Sequence, residues 1–149
     1  MQPTVWTFFY GSFINLDVLA HVDLRPDRVE TARVHGFDIT IRPLANLVRS
    51  ERDIAYGILA TATHDELERL YAHAEHDLGG RYLPEAIVAE TREGTWRPAL
   101  CYIAPELADA PASDDYVDRI SVPARLHGFP DWYVQRIESF RSGTASTGA

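Results

Sequence analysis

The order of strand-like and helix-like segments is the feature that most constrains the fold of this chain. A β-branched and aromatic run over residues 5–10 precedes a short helical segment, and more strand patterns come before the first longer helix. A hairpin and two helices complete the order. Because strands and helices do not alternate one by one, the sequence predicts an α+β fold with a mixed or mostly antiparallel sheet.

Local signals set the element boundaries. Thr63 with Glu66 three residues later forms a capping-box pattern that starts a helix. The predicted elements are a strand over 5–10, a helix over 16–22, two strand pieces over 28–42 around Gly36, a strand over 53–62, a helix after Thr63, a hairpin of 82–91 and 95–104, and helices over 114–126 and 131–141. Loops are expected at 44–52 and 105–113.

Length and charge limit the number of domains and the kinds of partner and chemistry that this chain can have. The 149 residues favour one domain over 1–141, with a small polar tail at 142–149 that is expected to be disordered. All 14 basic residues are arginine, and 22 acidic residues leave a formal charge of −8. An acidic chain without a basic cluster argues against nucleic acid or an anionic membrane as the main partner. The lack of lysine excludes Schiff-base and P-loop chemistry.

Two further features bear on compartment and redox chemistry. Cys101 lies in an apolar strand-type run and is expected to be a small buried residue rather than a nucleophile. The first residues lack the basic segment of a signal peptide, and no apolar stretch is long enough to span a membrane. We therefore expect a cytoplasmic protein.

The first candidate site is the junction between the first strand and the first helix, residues 9–15. Gly11 after a buried strand lets backbone N–H groups of the loop point into a cleft, where they can bind a small anion such as a carboxylate. The loop lacks the second glycine and the lysine of a P-loop. A plain structural turn is the alternative interpretation.

The second candidate is Glu75, near the C-terminal end of the second helix. A carboxylate at this end opposes the helix dipole, which favours a raised pKa and a role in proton transfer, whereas a solvated surface glutamate is the alternative. His73, His76 and Asp77 also suggest a metal, but the spacing is a weak pattern and has no second ligand set. We expect no metal and no cofactor, and no serine has the context of a catalytic triad.

An ordered set of segments resembles the gamma-glutamylcyclotransferase family, including its AIG2-like members. The resemblance extends over about residues 5–140. Its elements are Phe8–Ser12, Ala55–Leu59, Glu75 with Tyr82 seven residues later, and Gly128–Tyr133.

The resemblance implies a small mixed β-barrel flanked by helices and an enzyme that acts on a small γ-glutamyl substrate. In that reaction the substrate α-amine attacks its own γ-carbonyl and gives 5-oxoproline and a free amine. Glu75 would be the general acid/base. The substrate-binding residues would be the loop residues Gly11, Ser12, Phe13 and Ile14 with the tyrosines Tyr10, Tyr82 and Tyr133.

Departures from the family pattern leave alternatives open. Phe13 stands where the family usually has asparagine, and Glu85 is a competing acid if the alignment at Glu75 is shifted. One alternative is a catalytically silent module that binds a small metabolite in the same cleft. Another is a biosynthetic amide-cleaving enzyme with a bulky γ-glutamylated substrate. A homodimer is also left open.

Overall fold

The computed structural model describes residues 2–141, so the predicted tail at 142–149 lies outside the described residues. Five strands and four α-helices make up the described part of the chain. They are β1 (Thr4–Phe9), α1 (Leu16–Ala20), β2 (Val29–Ile41), β3 (Ala45–Thr63), α2 (His64–His73), β4 (Leu83–Thr91), β5 (Trp96–Ile103), α3 (Asp114–Leu126) and α4 (Asp131–Glu138).

The strands close into a barrel in the order β1-β3-β2-β4-β5. Closure comes from a short parallel pairing of β1 with β5, in which Thr7 lies opposite Leu100 and Phe8 opposite Cys101. All other strand pairs in the described part of the chain are antiparallel. The predicted α+β class with a mixed, mostly antiparallel, barrel-like sheet flanked by helices is therefore confirmed.

The long β2–β3 arm differs from the sequence-based prediction. The expected break at Gly36 is a bulge within one strand, where Gly36 adopts a φ of 88° and the pairing register shifts. The loop expected at 44–52 is wrong, because this segment begins β3 and pairs with β2 from Ala45 opposite Ile41 onward. Ala45, Asn46 and Leu47 are buried, and only the later part of the segment, from Val48 to Asp53, is largely exposed and polar.

The barrel interior and the helices share one hydrophobic core. Every strand and helix contributes to it, and its fully buried members include Phe8, Leu19, Ile39, Ile58, Leu70, Ala89, Cys101, Ile120 and Ile137. Cys101 is buried as predicted, and this burial raises the pKa of its thiol to about 12. A thiol in that environment stays protonated and is a poor nucleophile. No helix in residues 2–141 has the length and apolarity required to cross a bilayer.

Thr63 starts α2 as predicted. Its hydroxyl accepts a hydrogen bond from the Glu66 N–H at 3.1 Å, and the Glu66 carboxylate accepts one from the Thr63 N–H at 2.8 Å. This capping box satisfies two N–H groups that the first helical turn leaves without partners. It also fixes the start of α2, whose Tyr71 lies near the loop after β1.

Thr63→Ala is expected to lower the free energy of unfolding by about 1 kcal/mol, the usual cost of losing an N-cap side chain. Urea denaturation followed by circular dichroism measures this. Thr4→Ala, at an exposed position of β1, is the control and should unfold at nearly the wild-type midpoint. Equal midpoints for all three proteins would contradict the role assigned to the cap.

Candidate functional site

The loop after β1 presents three backbone N–H groups that have no partner within residues 2–141. A single 3-10 turn covers Ser12–Ile14, with Ile14 N–H donating to the Gly11 carbonyl at 3.1 Å. In the described part of the chain, the N–H groups of Gly11, Ser12 and Phe13 have no hydrogen-bond acceptor. Gly11 is required by close packing, because a Cβ there would lie 2.8 Å from the Cβ of Ala45.

A small cavity lies against this loop, and we call it the loop cavity. Its volume is about 30 Å³. The lining residues are Phe9, Tyr10, Gly11, Ser12, Phe13, Ala45, Tyr71, Ala74, Leu78, Tyr82, Tyr102 and Tyr116. Most of these side chains are aromatic or small, and the lining contains no carboxyl, imidazole or thiol group. The cavity therefore brings together the predicted residues from Tyr10 to Phe13 with Tyr82.

Tyrosine hydroxyls fix the walls of the loop cavity by binding backbone groups. Tyr116 accepts a hydrogen bond from the Ala45 N–H at 3.0 Å, and Tyr82 donates to the Ala45 carbonyl at 2.5 Å. Tyr10 donates to the Tyr102 carbonyl at 2.7 Å. Burial raises the pKa of all three phenols, so they are neutral at physiological pH.

Phe13 and two stacked tyrosines close the cavity. The Phe13 ring lies 5.7 Å from the Tyr71 ring and 6.2 Å from the Phe9 ring, edge-on in both cases. Tyr71 stacks on Tyr102 with 3.9 Å between ring centroids and 12° between ring planes. A volume of about 30 Å³ is roughly that of one water molecule. A ligand larger than a water molecule therefore contacts the loop at the edge of this cavity or displaces these rings.

The structure does not bring Glu75 into the loop cavity. A π-helical turn, Ala74–Leu78, follows α2, and it is the buried Ala74 that lines the cavity. Glu75 is exposed and lines a separate open depression of about 650 Å³, which we call the outer depression. The two cavities share one wall, formed by Tyr71, Tyr82 and Tyr102.

The register of the π-helical turn explains this placement. Consecutive residues of a helix point in directions roughly 100° apart, so a carboxylate next to a cavity-facing alanine points elsewhere. Within residues 2–141 the Glu75 carboxylate makes no hydrogen bond or ion pair. The competing acid Glu85 accepts a hydrogen bond from Arg49 at 3.1 Å and lines neither cavity.

Two other predicted site residues also lie outside the loop cavity. Ile14 is fully buried in the core, and its carbonyl accepts a hydrogen bond from His127 Nε2 at 2.7 Å. Tyr133 is buried in a separate aromatic cluster, with its ring 5.1 Å from that of Tyr56. Sequence reasoning missed Ala45, which carries no chemical signal of its own.

The histidines near the end of α2 bind a carboxylate. His73 and His76 each place Nδ1 2.6 Å from the Asp77 carboxylate. The bond to His76 lowers the pKa of Asp77, and Asp77 raises the pKa of His76. Among residues 2–141, no three His, Cys, Asp or Glu side chains are grouped closely enough to hold a metal ion.

Solved structures share this architecture. A structure named gamma-glutamyl cyclotransferase superposes with a TM-score of 0.74 at 20% identity, covering 91% of this chain and 87% of its own. This chain has the gamma-glutamyl cyclotransferase fold. An uncharacterised human protein gives a TM-score of 0.75 at 19% identity, covering 91% and 86% of the two chains. A yeast gamma-glutamyl cyclotransferase specific to glutathione gives 0.63 at 11% identity, covering 94% and 98%.

Sequence comparisons add no further relative. No sequence-family profile matches this chain, and no curated protein matches it. The evidence for the gamma-glutamyl cyclotransferase fold is therefore the barrel and its flanking helices. At identities of 20%, 19% and 11%, this similarity shows the fold alone.

Proposed function

We propose that this chain binds a small acidic metabolite, with a γ-glutamyl amide as the expected class, through the loop after β1. The observation that carries the proposal is the set of unpartnered N–H groups of Gly11, Ser12 and Phe13 at the edge of the loop cavity. Successive N–H groups of a turn form a concave site for anions, and the carboxylate of a metabolite is one such anion. The names of the solved structures with this fold favour the γ-glutamyl class.

The composition of the loop cavity favours binding over catalysis. Cyclisation of a γ-glutamyl amide requires a group that takes a proton from the attacking α-amine and delivers one to the leaving nitrogen. The lining contains no carboxylate, imidazole or thiol, and Ala74 occupies the helix position that faces the loop. Burial raises the pKa of the Tyr10 and Tyr82 phenols, so they stay protonated at neutral pH and cannot take a proton from the amine. The proposed protein therefore holds its ligand without cyclising it.

A second candidate function is cyclotransferase activity with Glu75 as general acid/base, releasing 5-oxoproline and a free amine. Two observations favour it: Glu75 has no partner in the described part of the chain, and it lies beside the tyrosine wall that both cavities share. A bulky leaving group, as in the biosynthetic alternative, would lie in the outer depression. Catalysis on this scheme requires that wall to move, so that the substrate contacts the loop and Glu75 together.

Calorimetric titration with γ-glutamyl-p-nitroanilide tests binding at the loop cavity. Phe13→Ala is expected to raise the affinity by at least about 10-fold, because it removes the ring that occupies the space next to the N–H groups. Trp132→Ala removes an exposed ring outside the loop cavity and is the matched control, with affinity expected to equal that of the wild type. Absence of heat for the wild type and for Phe13→Ala, both shown to be folded, would contradict the proposal.

A further inference from the structure

A third cavity lies at the junction of β2 and β4, and we call it the seam cavity. Its volume is about 290 Å³, near the lower end of the roughly 300–1,000 Å³ usual for small-molecule sites. The lining residues are Thr31, Ala32, Arg33, Tyr56, Glu90, Thr91, Arg92, Gly94, Gly128, Phe129 and Pro130. None of them lines the loop cavity or the outer depression.

The topology of the barrel creates this cavity. Strands β2 and β4 pair through only two residue pairs, Ala32 with Thr91 and Arg33 with Glu90. The strands separate beyond this short pairing, and the turn between α3 and α4 lies over the gap. The seam cavity is therefore lined by four parts of the chain: β2, Tyr56 of β3, the β4–β5 hairpin, and the turn between α3 and α4.

Two arginines line the seam cavity, and within residues 2–141 only Arg33 pairs with a carboxylate. Glu90 is bound by Arg33 and His35, each at 2.9 Å, and these contacts lower the pKa of Glu90. Arg92 donates one hydrogen bond, to the His127 carbonyl at 3.0 Å, and makes no ion pair within residues 2–141. A guanidinium has five N–H donors, so Arg92 is held in place with most of its donors available.

Phe129 and Tyr56 form the aromatic part of the seam-cavity lining. Phe129 is buried, with its ring 6.0 Å from that of Tyr56. Tyr56 in turn packs against Trp132 and Tyr133, at 5.8 and 5.1 Å between ring centroids. These mutual contacts hold the rings in one arrangement. A flat apolar group entering the cavity would meet a wall that is already formed.

We propose that the seam cavity binds a small monocarboxylate with a flat apolar or aromatic body, held through its carboxylate by Arg92 and through its body by Tyr56 and Phe129. One available guanidinium matches one carboxylate, and the planar fork of arginine suits the two oxygens. A more highly charged anion would be repelled by the nearby Glu90 carboxylate. This site is separate from the one under Proposed function and does not depend on it.

Benzoate is the probe, and benzamide is its neutral analogue of similar shape. In two-dimensional amide NMR titrations, benzoate is expected to shift the Gly94 and Gly128 signals with saturation, while benzamide leaves them unchanged. Arg92→Gln keeps a donor for the His127 carbonyl but removes the charge, and it should weaken benzoate binding by at least about 10-fold. Arg52→Gln makes the same charge change at an exposed residue outside the cavity and should bind as the wild type does.

Two results would overturn the seam-cavity proposal. One is equal benzoate affinity for Arg92→Gln and Arg52→Gln. The other is a set of benzoate-induced shifts that excludes Gly94 and Gly128, including one confined to Ser12 and Phe13 of the loop cavity. The remaining amide signals of each variant report whether the barrel is intact, so a folding defect is distinguished from lost binding.

Discussion

Gly57→Ala is expected to lower the free energy of unfolding by about 3 kcal/mol or more. A Cβ at this position would lie 2.1 Å from the Phe9 carbonyl oxygen and 2.8 Å from the ring of Phe8. The first neighbour is backbone, so a change of side-chain rotamer cannot relieve the clash. Relief requires β1 to move away from β3, which disturbs the barrel next to the loop. Overpacking of this kind usually costs about 1–3 kcal/mol, and a backbone clash lies at or above the upper end.

Urea denaturation measures this change, and Gly94→Ala is the matched control. Gly94 adopts a φ of 89° with open space around the added methyl group, so its replacement costs only backbone strain, about 1 kcal/mol. Gly57→Ala should therefore unfold at a clearly lower urea concentration than Gly94→Ala. Equal midpoints would mean that β1 and β3 lie farther apart than the structure has them.

Tyr116→Phe is expected to lower the free energy of unfolding by about 2 kcal/mol. The lost hydroxyl is the acceptor of the Ala45 N–H, and Ala45 is buried, so the substitution leaves a buried donor without a partner. An orphaned donor costs about 1–3 kcal/mol. We also expect the loop cavity to change shape, because Ala45 lines it next to Gly11.

Tyr82→Phe is the comparison for Tyr116→Phe, since it removes the hydroxyl that binds the carbonyl of the same residue. An under-satisfied carbonyl is tolerated better than an orphaned N–H, so about 1 kcal/mol is expected. Thermal or urea unfolding of the two variants shows which one loses more free energy of unfolding. A larger loss for Tyr82→Phe would contradict the roles assigned to the two tyrosines.

Local sequence signals predicted much of the fold. The capping box at Thr63, the bounds of α3 at Asp114–Leu126 and the β4–β5 hairpin all depend on interactions within a few residues, which a sequence pattern reports directly. The start of β3 at Ala45 could not be predicted in this way. Its pairing partner is the end of β2, and the buried Asn46 bonds the backbone of Ala104, so both contacts depend on residues that a local pattern does not relate.

The candidate site was predicted less completely, for a geometric reason. Residues 10–13 are consecutive at the end of one strand, so predicting that strand also places them together. The orientation of Glu75 instead depends on the π-helical turn after α2, which turns one residue toward the loop and its neighbour away. Ala74 and Glu75 are neighbours in sequence, and the spacing to Tyr82 does not show which of the two faces the loop. Tyr133 likewise depends on how α4 packs against β2 and β3.

Release of 5-oxoproline is the most direct test of the central claim that the loop cavity binds without catalysing cyclisation. The wild-type protein is incubated with γ-glutamyl-p-nitroanilide and γ-glutamyl dipeptides, beside Glu75→Gln, and the product is followed by mass spectrometry. We expect no release above the uncatalysed rate from either protein, together with measurable ligand binding. Turnover by the wild type that is lost in Glu75→Gln would contradict this account and establish Glu75 as a catalytic residue.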